Sequence, residues 1–125
     1  MYLHRSIEQV KLEQSPNGFL SLLDNQPDHI IRDTLMLLRE NETCSGKLDV
    51  GVTYLYPNCR TKGHTHENKE EVYYIIAGEG VMTVGDDAFP IKGGDVVYVP
   101  YGNVFHKTEN TGNIPMHYVW MTHAK

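Results

Sequence analysis

His64 and His66 are separated by a single residue. On an extended backbone that spacing puts both imidazoles on one face, where both reach one ion. Alone, a His-x-His pair is a short motif that also arises on ordinary surfaces. Its neighbours add weight. Glu71 follows His66 across what reads as a short loop into the next strand, and His106 comes later, after Gly94, Pro100 and Gly102. Three imidazoles and a carboxylate from separate strands would converge inside a barrel. A mixed nitrogen and oxygen set of this kind suits a divalent transition metal such as Fe, Mn, Ni, Co or Zn. Four protein ligands on an octahedral ion leave positions open for substrate or water.

The elements that must carry these side chains are short strands. From residue 47 onward the chain is a series of β-like runs cut by Gly, Pro, Asn and Asp. Runs are predicted at 47–56, from His64 to His66, and at 71–77, 81–84, 89–91, 96–99, 105–109 and 116–122. In the first run, Leu48, Val50, Val52, Tyr54 and Tyr56 alternate and are expected on one face. Gly85-Asp86-Asp87 and Lys92-Gly93-Gly94-Asp95 read as turns. Residues 1–46 are less regular. Ser15-Pro16-Asn17-Gly18 and Asn25-Gln26-Pro27-Asp28 read as turns, and 28–39 is read as strand because β-structure follows it. This pattern predicts an all-β sandwich or barrel, residues 47–125, with 1–46 as an N-terminal arm packing on it.

The length, 125 residues, fits one domain with a real core and no need of a disulfide framework. Cys44 and Cys59 form no Cys-x-x-Cys pair. A net charge of −5 does not attract nucleic acid or anionic membrane. No apolar run is long enough to span a bilayer. The first residues lack the apolar stretch of a secretory signal, so a cytoplasmic location is expected.

The segments from His64 to Gly78 and from Gly94 to Asn110 resemble the two motifs of the cupins. The resemblance implies a double-stranded β-helix, or jelly-roll barrel, with a divalent metal held by His64, His66, Glu71 and His106. Two departures stand out. Asn58 occupies the place of a glycine six residues before the first histidine, and one extra residue lies between Gly102 and His106. Glu70 competes with Glu71 as the fourth ligand. Glu71 is favoured by its spacing to Gly78 and by sharing a strand face with Tyr73 and Ile75, and Glu70 reads as a solvated charge.

Among cupins, the chain is most similar to the cupin-type phosphoglucose isomerases. The similarity is carried by Tyr54-Leu55-Tyr56-Pro57, Thr61-Lys62-Gly63-His64, Glu71-Val72-Tyr73, Val96-Val97-Tyr98-Val99-Pro100, and His106 through Asn110-Thr111-Gly112 to Pro115. It implies a sugar-phosphate pocket lined by Thr53, Thr61 and Gly63, with Tyr73 facing the sugar and Glu71 and Tyr73 as the catalytic candidates. It also implies a homodimer. Those isomerases are longer, and His123 does not match the histidine that completes their site. The expected function is therefore a metal-dependent isomerase of a sugar or sugar phosphate. A cupin dioxygenase, decarboxylase or cyclase, or a non-catalytic carbohydrate-binding cupin, are the alternatives. Tyr54, Tyr56, Tyr98, Phe105 and Trp120 are read as packing residues, and His117 as packed or on the surface.

Overall fold

A computed structural model of the chain describes residues 2–13, 18, 29–30 and 32–125. The expected turns at 15–18 (Gly18 apart) and 25–28 lie outside those residues, as do Phe19, Leu20, Leu22, Leu23 and Ile31. Eight strands follow one another: β1 (Arg32–Leu38), β2 (Leu48–Leu55), β3 (Lys69–Ala77), β4 (Glu79–Val84), β5 (Asp87–Lys92), β6 (Val96–Val99), β7 (His106–Asn110) and β8 (Met116–Ala124). They form a five-stranded sheet in the order β1-β2-β8-β3-β6 and a three-stranded sheet in the order β5-β4-β7. Every pairing is antiparallel. The architecture is a jelly-roll double-stranded β-helix. Among the described residues no helix is long and apolar enough to cross a membrane.

Local chemistry accounts for the strand ends. Val84 pairs with Asp87 around a two-residue turn, Gly85-Asp86, where Gly85 takes φ +61°. Tight hairpins of this kind need a positive φ that glycine adopts without strain. Pro90, which cannot donate to a ladder, sits in β5 at the edge of the small sheet. Asn58, in the position where a glycine was expected, has φ +63°. Asparagine is among the few non-glycine residues that tolerate that region. The extra residue before His106 is taken up in the loop 100–105, where Gly102 and Asn103 also have positive φ.

The core lies between the two sheets and includes Leu55, Ile75, Met82, Ile91, Val99, Met116 and Tyr118. Along three strands of the large sheet the inward face then changes character. Leu55 gives way to Thr53 and Asp49 on β2, Met116 and Tyr118 to Trp120 and Thr122 on β8, and Ile75 to Tyr73 and Glu71 on β3. The apolar residues fill the core, and the polar ones line a cavity of about 610 Å³.

The alternation expected in β2 is present, and its partly covered apolar face, on which Val52 is buried, is the one turned away from the cavity. The inward face of β2 carries Asp49, Gly51, Thr53 and Leu55, so the alternating set Leu48, Val50, Val52 and Tyr54 faces outward. Leu48 is exposed, whereas Leu55 is fully buried. The inner face is polar because it bounds a cavity, and apolar alternation therefore marks the opposite face. The segment from His64 to His66, expected to begin a strand, is not a regular strand. It contributes a single bridge, His64 to His106, beside a second bridge from Arg60 to Glu109.

Candidate metal centre

His64 and His106 are joined by a reciprocal pair of backbone hydrogen bonds. The His64 N–H donates to the His106 carbonyl at 3.1 Å, and the His106 N–H donates to the His64 carbonyl at 3.0 Å. Two candidate ligands are thus clamped to each other through main chain. Gly63, just before, has φ +84°, and a Cβ built there would lie 2.5 Å from the Phe105 ring. Only glycine fits that approach. The loop after β6 holds the other histidine: the Asn103 N–H donates to the His66 carbonyl at 2.9 Å, and the Gly102 N–H to the Glu67 carbonyl at 3.1 Å.

The ligand atoms of His64, His66, Glu71 and His106 all lie within 4.8 Å of one another. Glu71 and His106 are buried, His66 is half-buried and His64 stands on the open side. The His106 Nδ1 lies 2.9 Å from the Val104 carbonyl. A carbonyl only accepts, so Nδ1 carries the hydrogen and Nε2 is directed at Glu71 Oε1, 2.9 Å away. Two acceptors face each other at that distance unless a proton or a cation lies between them. The Tyr73 hydroxyl donates to the same Oε1 at 2.5 Å. The Nε2 atoms of His64 and His66 stand 3.8 and 3.7 Å from it. His66 Nε2 is buried with no hydrogen-bond partner, a costly arrangement that a metal ion would relieve.

Titration follows the same geometry. Burial pushes the Glu71 carboxyl up, but hydrogen bonds from His106 and Tyr73, with His64 nearby, outweigh it and bring the group down to about 2. Burial opposes charging of His106, yet Glu71 and the Val104 carbonyl raise it overall. Burial, reinforced by His64, lowers His66. Burial pushes the Tyr73 hydroxyl well up, so it remains a hydrogen-bond donor at neutral pH. The result is an ionised carboxylate among three imidazoles. That donor set is able to bind a divalent transition metal.

The cupin domain family matches residues 51–122, which include all four of these residues. The chain is a cupin. It is 38% identical over 89 residues to a glucose-6-phosphate isomerase of Thermococcus onnurineus, covering 61% of this chain and 47% of that protein. It is 43% identical over 56 residues to an oxalate-binding protein of Thermotoga maritima, covering 45% of this chain and 46% of that one. A crystal structure described as a predicted oxalate decarboxylase from Thermotoga maritima superposes with a TM-score of 0.70 at 29% identity, covering 75% of this chain and 81% of that chain. This cupin spans about half the length of the first curated relatives it matches.

Around the cluster, the cavity of this cupin is lined by Thr53, Thr61, Gly63 and Tyr73, the residues expected there, and by others that sequence reading passed over. Trp120, expected only to pack, lines the cavity and donates from Nε1 to Thr53 Oγ1 at 3.0 Å. Thr53 Oγ1 lies 3.2 Å from Thr34 Oγ1. Arg32, Thr34, Asp49, Lys69 and Thr108 also line it. The signal for Arg32 and Thr34 was their alternation on one face of β1, legible only once β1 is paired with β2. One other reading changes, that of Glu70, and the reading of His117 as a packed residue holds. Glu70 is not a free solvated charge: it accepts from Tyr98 at 2.9 Å and Tyr101 at 2.8 Å, and pairs with His123 at 3.2 Å. His117 stacks on Tyr54, ring centroids 4.3 Å apart, on the outward side of the large sheet.

Proposed function

We propose that this cupin is a metal-dependent enzyme acting on a small oxygen-rich substrate, and that its reaction is the isomerisation of a sugar phosphate. The observation that carries the proposal is the opening of one His/His/Glu/His cluster into a cavity lined by hydroxyls. Its volume is within the usual range for small-molecule sites. The isomerase relative supports the choice of reaction. His64, His66, Glu71 and His106 hold the ion. A bound divalent metal would polarise a carbonyl and the neighbouring hydroxyl as a Lewis acid.

The remaining roles belong to the chain's own groups. Thr53, Thr61 and the Gly63 main chain orient the substrate from the cavity wall. The isomerisation would move a hydrogen between C1 and C2, and Glu71 and Tyr73, hydrogen-bonded to each other in the cavity, are the candidate groups for it. A carboxyl held near 2 accepts a proton poorly at neutral pH. Glu71 therefore serves first to hold the ion, and Tyr73 fixes its orientation by donating to Oε1. The test is interconversion of fructose 6-phosphate and glucose 6-phosphate by metal-loaded protein. Turnover lost on chelation and in His106→Ala is expected. Absence of turnover with one metal ion bound per chain would overturn the isomerase assignment.

A second reading rests on the oxalate-binding relative and the related fold: binding or decarboxylation of a small dicarboxylate at the same cluster. Loss of oxalate on incubation with the metal-loaded protein would favour it.

Homodimer formation is part of the proposal. The outward face of the large sheet exposes Tyr74, Ile76, Val96, Tyr98 and Met121. The strand registers put these residues on one contiguous face. An exposed apolar patch of this kind marks an interaction surface, and a second copy is the occupant inferred from the family.

A further inference from the structure

The cavity contains more cationic groups than its own carboxylates neutralise. Arg32, Lys62 and Lys69 line it, as do Glu13, Asp49 and Glu71. Glu13 is paired with Arg39. Asp49 is paired with Lys69 at 3.6 Å, and Lys69 also reaches Glu40 at 3.5 Å. Glu71 faces the three histidines. Among the described residues no carboxylate lies within ion-pair distance of Arg32. Its hydrogen bond runs instead to a neutral group, from Nη1 to Thr34 Oγ1 at 3.0 Å. Lys62 is exposed at the rim, whereas Arg32 is half-buried inside. A half-buried guanidinium without a counter-charge loses hydration and gains little in return.

Two threonine hydroxyls lie beside it. Thr34 Oγ1 accepts from Arg32, and Thr53 Oγ1 accepts from the Trp120 indole. One hydroxyl hydrogen serves the Thr34–Thr53 contact, whichever residue donates it. The Tyr118 hydroxyl is a further hydrogen-bond partner of Thr53. This end of the cavity therefore offers guanidinium N–H groups beside hydroxyls, and its nearest lining carboxylate, Glu13, is paired with Arg39. Burial pushes the Tyr73 and Tyr118 hydroxyls up, and the Arg32 charge is close enough to pull both back. Tyr73 in turn touches Glu71, so the cationic end and the histidine cluster serve one cavity.

We propose that Arg32, with the Thr34–Thr53 pair, is the specificity-determining pole that receives the anionic group of the substrate. The substrate is then a small molecule with two functional ends: a phosphate or carboxylate at Arg32 and an oxygen ligand at the histidine cluster. This deepens the proposed function and rests on the same cavity being the substrate site. Arginine suits the role because its planar fork meets a phosphate or carboxylate through two parallel hydrogen bonds.

The test uses the full chain freed of metal, so that no bound cation competes for the anion. Titration calorimetry is run with fructose 6-phosphate, oxalate and neutral fructose on the parent, Arg32→Gln and Arg32→Lys. The parent is expected to bind at least one of the two anions and to bind fructose far more weakly. Arg32→Gln should weaken anion binding about tenfold or more. Arg32→Lys, which keeps the charge and the fold but loses the fork, should fall between. Preference for fructose 6-phosphate identifies a phosphate-bearing substrate, and preference for oxalate a carboxylate; both support the pole. Parental anion affinity in Arg32→Gln, or no anion binding to the parent, overturns it. Metal stoichiometry should be equal in all three proteins. Absent isomerase turnover alongside Arg32-dependent anion binding would sink only the reaction assignment.

Discussion

Asn110, at the end of β7, allows a worked test of what holds the barrel closed. Its side chain is 1% exposed. Nδ2 donates to the Leu55 carbonyl at 2.8 Å and to the Ile114 carbonyl at 2.9 Å, while Oδ1 accepts from the Gly112 N–H at 2.8 Å. One amide thus ties the end of β2 to the turn between β7 and β8. Asn110→Ala removes three hydrogen bonds, each with a net value of about 1 kcal/mol. It also strands buried backbone partners, which adds about 1–2 kcal/mol if water does not enter. The expected loss is about 3–5 kcal/mol, a large share of the ~5–15 kcal/mol typical of a domain. In a chain of this size that lowers the thermal midpoint by about 10–20 °C.

The assay is a reversible thermal melt followed by circular dichroism, with metal-free protein so that ligand linkage does not mask the change. Asn110→Asp is the paired control. It keeps an acceptor for the Gly112 N–H but sets carboxylate oxygens against two carbonyls. It should be as destabilised as alanine at neutral pH and recover partly in acid, where a protonated carboxyl donates again. A midpoint within about 2 °C of the parent for Asn110→Ala would refute the reasoning, because hydrogen bonds of this number and burial cannot be lost at so small a cost.

Metal affinity should fall as pH falls. His106 is raised above the ordinary histidine value in the metal-free protein, so it takes up a proton first as the solution is acidified. Below that point a metal must displace the proton, and apparent affinity drops about tenfold per pH unit. His66, which is lowered, joins at lower pH, and Glu71, held at about 2, does not contribute in that range. Titration with a divalent ion at pH 8 and pH 5 measures this, and equal affinity at both would contradict it. For the outward face, Val96→Lys combined with Tyr74→Glu should convert a dimer into a folded monomer in light scattering. A parent that is already monomeric at micromolar concentration would remove the basis of that expectation.

His64, His66, Glu71 and most strands were legible because those signals are local, whereas His106, 40 positions beyond His66, was tied to them through the resemblance. Histidines two apart, turns marked by Gly and Asp, and a period of two can all be read within ten residues. Thr53, Thr61, Gly63 and Tyr73 were reached through resemblance, and all four line the cavity. What stayed hidden depends on pairing across the sheet. Arg32 precedes His64 by 32 positions, and only the β1–β2 and β2–β8 registers bring Thr34 opposite Thr53 and Thr53 opposite Tyr118. The cavity wall on β2 was hidden for a related reason: apolar alternation marks one face of the strand, and the residues that bound the cavity are mostly polar and lie on the other. Glu70 looked like part of a charge run because the tyrosines that bind it come from 28 and 31 positions away.

The reciprocal main-chain clamp between His64 and His106 also bears on the order of assembly. A chain made only as far as β3 already contains His64, His66 and Glu71, yet it lacks both the fourth donor and the partner that fixes the first. The complete quartet arises only when β7 returns across the barrel, a long loop closure whose entropy cost precedes any gain from the contact. Early capture of an ion by the first three donors would have no clamp to hold it. Grouping of all four donors therefore requires the two sheets to be closed on each other.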